Sequence, residues 1–287
     1  MNPNRSVLEG EIYKKAYSLD NIEIFDDPTV ANGLCAIFFS SAGLYYPNTE
    51  DALEKSVLNA NHYEWKKVRL SYIKRYIYIR DVSKTFYLLG INQRISSIEA
   101  TLKKITEITK GYEVICIGSS AGAYFATLVG SILKNCIYVL DFSGYYDLSI
   151  LDEKKWPVIN ELKNIETLKQ WYDIEPIIKR RKCEIFRFYP TELEEDQNQT
   201  NHIQNCKVKI FPIKSRKHGV PFYKNELYYL LTLDKETLIR IHHKLNKFKS
   251  ISQVRFAWML AGIKGLTFLL SGFVNERLIP RIYSKRH

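Results

Sequence analysis

The stretch that decides the fold is EVICIGSSAGA, residues 113–123. It opens with the short apolar run of a buried strand, and its small residues lead into an apolar segment with the pattern of a helix. The glycine–serine pattern Gly118-Ser119-Ser120-Ala121-Gly122 lies at the junction. Such a sharp turn excludes bulky flanking side chains and holds Ser120 above the sheet. The pattern therefore favours Ser120 as a nucleophile over a turn whose glycines serve packing alone.

Outward from this turn, short apolar runs alternate with helical patterns. Isoleucine and leucine at spacings of three and four predict an amphipathic helix over residues 95–108, and small apolar residues predict a helix over 121–133. The predicted strands are residues 22–25, 34–39, 76–79, 85–89, 113–117, 137–140, 184–189 and 208–212. Strands and helices in alternation predict an α/β fold, with a mainly parallel sheet flanked by helices on both faces.

Two segments depart from this alternation. Residues 142–182 contain Trp156 and Trp171 and a helical pattern over 159–171, and we interpret them as a lid-like insertion. The polar run EEDQNQTN, residues 194–201, follows a strand and is expected to be a loop. We assign residues 1–250 to one catalytic domain and residues 251–287 to a basic amphipathic C-terminal extension.

A serine at such a turn needs a base and an orienting acid, which follow it in the chain. Of the six histidines, His202 and His218 lie after the motif and before the basic tail. His218 follows a predicted strand directly, in the loop KSRKHG, and is favoured; His202 precedes that strand and is expected near the opposite edge of the sheet.

The orienting acid is expected in the loop after strand 184–189. That loop offers Glu192, Glu194, Glu195 and Asp196, and we choose Asp196, although the run is equally that of a solvated surface. Asp141, at the end of the strand after the nucleophile helix, is the main rival.

Negative charge on a tetrahedral intermediate requires two preorganised N–H donors, which form an oxyanion hole. The backbone amide of Ala121, after the nucleophile, is expected to be the first. The second is expected from the small-residue turn after strand 34–39, at Ser41 or Ala42.

The net charge of +11 is concentrated at the C-terminus, because residues 242–287 contain nine Lys/Arg against one acid, Glu276. Apolar residues 256–274 reach the length of a membrane span, but Lys264 lies in the middle. We expect a helix that docks on the body, on a second copy of the chain or on a membrane face.

Several classes are disfavoured. The five cysteines are scattered with no CxxC, and the sequence has neither metal-ligand spacing nor a G-x-G-x-x-G or G-x-x-x-x-G-K-[ST] motif. We expect no bound cofactor or metal, and no nucleic acid partner. The N-terminus has no apolar signal segment, so we expect a cytoplasmic protein, peripheral at the inner membrane where the C-terminal helix meets lipid.

The runs FFSSAG, IGSSAGAY, YPTELEEDQ and the later KHG resemble the α/β-hydrolase superfamily over about residues 34–218. Within it, the chain resembles the small bacterial capsular-polysaccharide O-acetyltransferases. The resemblance implies Ser120 as nucleophile, His218 as base and Asp196 as acid, with acetyl-CoA as donor and a hydroxyl of a capsular or lipopolysaccharide glycan as acceptor. The alternatives are a carboxylesterase or glycan deacetylase with the same residues, and a non-catalytic glycan-assembly protein.

Overall fold

The structure, a computed structural model, describes residues 5–31 and 33–278. Residues 279–287 of the expected extension, with His287, lie outside the described residues. The strands are β1 (Ile22–Asp26), β2 (Leu34–Phe39), β3 (Ile73–Ile79), β4 (Val114–Ser119), β5 (Cys136–Phe142), β6 (Glu184–Pro190) and β7 (Lys209–Ile213). The helices are α1 (Arg5–Glu9), α2 (Glu11–Ser18), α3 (Glu50–Leu53), α4 (Ile98–Ile108), α5 (Ala121–Ile132), α6 (Pro157–Leu162), α7 (Glu175–Arg180), α8 (Glu194–His202), α9 (Lys224–Leu231), α10 (Lys235–Leu245) and α11 (Gln253–Phe273).

All seven strands form one sheet in the order β1-β3-β2-β4-β5-β6-β7. Among the described strands, β1 alone runs antiparallel, against β3, and the other five pairings are parallel. The carboxyl ends of the six parallel strands therefore meet at one edge, where the loops after β2, β4, β5, β6 and β7 converge. The predicted α/β class with a mainly parallel sheet is confirmed.

Helices cover both faces of the sheet. Alternate residues of the central strands face opposite sides, so Ile37 packs with α4 and α5 while Phe38 packs with α9, α10 and α11. A smaller apolar cluster joins α2 to α3 beside the sheet. The resulting three layers bury both sheet faces, which explains why strands such as LCAIFF are apolar at every position.

The strand predicted at residues 85–89 is wrong, because this segment wraps around a buried carboxylate. Asp81 accepts hydrogen bonds from the backbone amides of Ser83, Thr85 and Tyr87. Burial still raises the pKa of Asp81, to about 6. Phe86 and Tyr87 adopt positive φ angles of 57° and 64°, which no strand permits.

The polar run at residues 194–201 forms α8 and is no loop. Its first turn holds Glu194, Glu195 and Asp196, and acidic side chains there are stabilised by the positive end of the helix dipole. The predicted helix at 159–171 is instead α6 followed by a separate 3₁₀ turn, Glu166–Trp171. The division of the chain at residue 250 stays a prediction.

Helix α11 docks on the body of the protein. It bends at Ala261 and at Gly262, whose φ of 58° suits glycine. After the bend, the rings of Phe268 and Tyr229 lie 5.6 Å apart, and the Asn225 amide donates to the Ser271 hydroxyl at 2.8 Å. Among the described residues, Gln253–Glu276 is the one segment long and apolar enough to cross a membrane, by length and composition.

Glu226 on α9 gives stability a dependence on pH. Its buried carboxyl accepts the Tyr223 amide, and burial raises its pKa to about 7 from 4.5; nearby Glu276 acts in the same direction and Lys217 opposes it. The folded chain therefore holds a proton that the unfolded chain releases, so the contribution of Glu226 to stability is greatest below about pH 4.5 and is lost as the pH rises through about 7.

We expect Glu226→Gln to remove this part of the slope, which is on the order of 2–3 kcal/mol between pH 4.5 and 8. Denaturant unfolding at pH 5 and pH 8 measures it, with exposed Glu236→Gln as the matched control. Equal slopes for Glu226→Gln and the unaltered chain would show that Glu226 ionises alike in both states.

Candidate active site

Ser120 occupies the sharp turn between β4 and α5. Its backbone is strained, with φ 55° and ψ −122°. A Cβ at Gly118 would lie 2.2 Å from the Gly122 carbonyl oxygen, and a Cβ at Gly122 would lie 2.5 Å from that of Phe39. Glycine is therefore required on both sides for the strand, the turn and the helix to pack this closely.

His218 reaches the serine from the loop after β7. Its Nε2 lies 2.9 Å from the Ser120 Oγ, so the hydroxyl can donate to the ring. The loop is held in place from β5, because the Ser143 hydroxyl donates to the Gly219 carbonyl at 2.8 Å. The base is thus positioned by a contact from a neighbouring strand end.

Asp196 completes the constellation from the first turn of α8. Its Oδ2 lies 2.8 Å from the His218 Nδ1, on the opposite side of the ring from the serine. The Asp196 side chain is buried while His218 remains partly exposed. The structure thus brings together Ser120, His218 and Asp196, the three residues chosen from the sequence, in the geometry of a nucleophile, base and orienting acid.

The rival residues have other partners. His202 Nε2 lies 2.9 Å from Asp173 Oδ1. Glu195 faces Lys155 across 3.9 Å at the mouth of the site. Asp141 is wholly buried and lies 3.4 Å from the guanidinium of Arg187.

The pair Asp141–Arg187 forms the centre of a buried network behind the site. Arg187 also donates to the Thr200 hydroxyl at 2.8 Å and to the Gly144 carbonyl at 2.9 Å. Asp141 accepts from the Tyr146 hydroxyl at 2.5 Å and the Gly144 amide at 2.7 Å. Burial raises the pKa of Asp141, while Arg187 opposes the rise. Because Arg187 further contacts the Asp196 carbonyl at 3.3 Å, the network fixes the start of α8.

The oxyanion-hole candidates differ in availability. Ala121 is the first residue of α5, so its amide has no carbonyl one turn back to bind. The Ser41 amide instead donates to Glu64 Oε2 at 2.7 Å, and its hydroxyl donates to Oε1 at 2.8 Å. Ser41 is therefore wrong as a donor, because a half-buried carboxylate already binds its N–H. Ala42 stays a prediction.

Two aromatic residues line the site. Trp156 belongs to the segment expected to be a lid, whereas Tyr145 was not among the residues predicted from the sequence. The Tyr145 hydroxyl lies 3.4 Å from His218 Nε2, and its ring packs edge-on against Trp156. Burial raises the pKa of Tyr145 well above its usual value, so the hydroxyl keeps its proton. The signal for Tyr145 in the sequence is its position alone. The run FSGYYD begins at the last residue of a parallel strand and continues into the loop after it, where catalytic loops also lie.

The cavity above Ser120 has a volume of about 410 Å³. Its walls come from the oxyanion turn, the His218 loop and the 142–182 segment, which contributes Tyr145, Lys155 and Trp156. The lid-like segment therefore supplies an aromatic wall and one cation. Among the residues that the structure describes, no group of three or more His, Cys, Asp or Glu side chains is placed to hold a metal ion.

The strand order, the single antiparallel edge strand and the serine turn after β4 define an α/β-hydrolase fold. No protein-family model and no curated protein matches the sequence.

The solved structures that are similar over most of this chain include three whose names state a class of enzyme or related protein. An S-formylglutathione hydrolase from Agrobacterium tumefaciens shares 11% identity, with 78% of this chain and 89% of that one covered and a TM-score of 0.45. A lipase-esterase related protein from Clostridium acetobutylicum shares 13%, with 79% and 99% covered and a TM-score of 0.44. A Pyrococcus horikoshii acylaminoacyl peptidase shares 10%, with a TM-score of 0.44; the match covers 79% of this chain and only 40% of the peptidase.

The buried ion pair between Asp141 and Arg187 leads to a prediction about the stability of the fold. We expect Arg187→Met to destabilise the fold by about 3–5 kcal/mol, because it leaves the Asp141 carboxylate buried without its cation. Chemical denaturation measures the loss. Arg187→Met combined with Asp141→Asn is the matched variant and should recover much of it; a double variant as unstable as the sum of both single changes would show that the two side chains do not interact.

Proposed function

We propose that this chain is a serine carboxylic-ester hydrolase that acts through an acyl-enzyme on Ser120. The observation that carries the proposal is the pair of hydrogen bonds through one imidazole, 2.9 Å to the Ser120 hydroxyl and 2.8 Å to the Asp196 carboxylate. An uncharged serine is a weak nucleophile, and this arrangement is what activates it. A cavity of about 410 Å³ leads to the hydroxyl.

In the first half-reaction, His218 Nε2 takes the hydroxyl proton as Ser120 Oγ attacks the ester carbonyl. Asp196 accepts a hydrogen bond from the Nδ1–H of His218 and stabilises the imidazolium that forms. The carbonyl oxygen gains negative charge and accepts from the Ala121 amide, with the Ala42 amide as the proposed second donor. When the carbon–oxygen bond of the ester breaks, His218 returns the proton to the departing alcohol.

In the second half-reaction, His218 removes a proton from water, and the resulting hydroxide attacks the acyl-serine carbonyl. The carboxylic acid leaves and Ser120 recovers its proton from His218. Water reaches the acyl group through the same open cavity.

A second candidate is transfer of the acetyl group from acetyl-CoA to a hydroxyl of a surface glycan. It is favoured by the cations around the base. Lys155 lines the catalytic cavity, and Lys214, Arg216 and Lys217 lie in the loop immediately before His218. Such groups attract the phosphates of acetyl-CoA or an anionic glycan. In this reaction the glycan hydroxyl takes the place of water in the second half-reaction.

The first test is covalent labelling. We expect a fluorophosphonate to add one phosphonyl group to the intact chain, located by peptide mass spectrometry at Ser120. Ser120→Ala should abolish both the label and the turnover of p-nitrophenyl acetate, since Ser120 Oγ is the serine hydroxyl that His218 Nε2 contacts and the neighbouring Tyr145 hydroxyl keeps its proton. Ser119→Ala, one residue away and without a bond to His218, is the matched control and should keep both.

If Ser120 is labelled but the protein turns over no ester or thioester, Ser120 is an activated nucleophile and the proposed hydrolysis is refuted. No labelling at all would support the non-catalytic glycan-assembly hypothesis.

The second test separates the two acyl acceptors. If the enzyme is a hydrolase, we expect Ser120-dependent acetate release from p-nitrophenyl acetate at a rate that added glycan does not change. If it is a transferase, acetyl-CoA should be consumed quickly only when a capsular or lipopolysaccharide glycan is present, and the acetyl group should appear on that glycan. Mass spectrometry of the polysaccharide and a thiol assay for released CoA measure the two outcomes.

A further inference from the structure

The exposed face of α11 combines large apolar side chains with cations. Val254, Trp258, Ile263 and Leu270 are 58%, 51%, 74% and 65% exposed. Arg255 and Lys264, on the same helix, are also exposed. We name these six residues the C-terminal surface. Isolated apolar residues on a surface are ordinary, but four large ones on the bent α11, two on each side of Ala261 and Gly262, mark a surface that contacts something else.

Opposite this surface, α11 is fixed to the body. Phe256 stacks on Phe222 at 4.9 Å between ring centroids, and Gly272 lies against the Tyr223 side chain, where a Cβ would come within 2.5 Å of the Tyr223 Cβ. The exposed side chains are thus left over after the helix has buried its other face. The C-terminal surface is therefore a property of the folded chain.

The positive charge of the C-terminal region indicates what kind of partner the C-terminal surface binds. Residues 242–287 contain nine of the Lys/Arg and one acid, a net charge of +8, which leaves only +3 of the total +11 for the other 241 residues. Lys247 and Lys249, just before α11, are also exposed. Interfaces between proteins are depleted in lysine, whereas helices that lie on membranes combine Trp and Leu with Lys and Arg.

We propose that the C-terminal surface docks the protein on an anionic lipid bilayer, with α11 lying in the interface and not crossing the membrane. The bend at Ala261 and Gly262 and the exposed cation of Lys264 oppose a span. A span would also break the Asn225–Ser271 hydrogen bond of 2.8 Å. Lying along the interface, the two arms of the bent helix keep these contacts and place their exposed apolar side chains among the acyl chains.

The start of α11 lies at the edge of the sheet that also carries the candidate active site. Ile251, two residues before α11, pairs with Ile213 at the carboxyl end of β7. Ser120 follows the carboxyl end of β4 at the same edge of the sheet. The proposal does not depend on the reaction that the site performs.

The experiment is flotation of the full chain with vesicles of phosphatidylcholine, with and without phosphatidylglycerol. We expect binding to the anionic vesicles only, weakened by raised salt. Arg255→Gln with Lys264→Gln should lower the partition coefficient about thirtyfold, since each cation near an anionic surface contributes about 1 kcal/mol. Trp258→Ser with Leu270→Ser should lower it at least tenfold.

Matched controls change exposed residues of the same kinds elsewhere: Lys103→Gln on α4, and Ile150→Ser in the 142–182 segment. Both should bind as the unaltered chain does. Trp65, Trp156 and Trp171 are buried, so a blue shift of tryptophan emission on adding anionic vesicles should come from Trp258 and vanish in the Trp258 variant.

Three outcomes would overturn the proposal. Equal binding to both kinds of vesicle, or to neither, would remove the role of charge. Concentration-dependent dimers in light scattering that the Trp258 and Leu270 changes disrupt would make a second copy the partner. Resistance of membrane-bound protein to alkaline extraction would make α11 a span. An unchanged circular-dichroism spectrum and an unchanged midpoint of thermal unfolding for each variant in solution would show that it still folds, whatever its binding.

Discussion

The candidate site depends on the buried ion pair between Asp141 and Arg187. Two charges removed from water destabilise a fold unless each is well hydrogen-bonded. Here the carboxylate accepts from Gly144, Tyr146 and Thr127, and the guanidinium donates to the loop after β5 and to α8. The pair therefore joins the ends of β5 and β6 to the start of α8, and the position of the Asp196 carboxylate follows from it.

This dependence explains which parts of the site the sequence could predict. Ser120 could be predicted because its turn requires glycine at 118 and 122. This steric requirement is local, so it appears in the sequence as a recognisable motif. His218 was readable because a base must follow a parallel strand, and β7 is visibly apolar. Asp196 was chosen within an acidic run, and the residue that distinguishes it from Asp141 is Arg187, which lies inside the strand EIFRFYP. An arginine in an apolar strand signals a buried acidic partner, but its identity depends on strand pairing.

The expectations that failed share a cause. Residues 85–89 have strand-like composition, yet three of the amides around them bind the Asp81 carboxylate. Ser41 has the right place for an oxyanion donor, yet Glu64 takes its amide from 23 residues away. Residues 194–201 read as a loop because they are polar, yet one face of α8 supplies buried Asp196, Gln199 and Thr200. In each case hydrogen bonds to a residue outside the segment override the pattern within it.

The loop that carries His218 connects the candidate active site to the C-terminal helix. Gln253, the first residue of α11, donates from its amide nitrogen to the Pro221 carbonyl at 2.7 Å and to the Lys214 carbonyl at 3.4 Å, at the two ends of that loop. The same loop is tied to the sheet by Ser143 through Gly219. The base thus lies between an anchor on the sheet and an anchor on α11. The anchor on α11 and the anchor on the sheet together hold the loop so that the imidazole lies against Ser120.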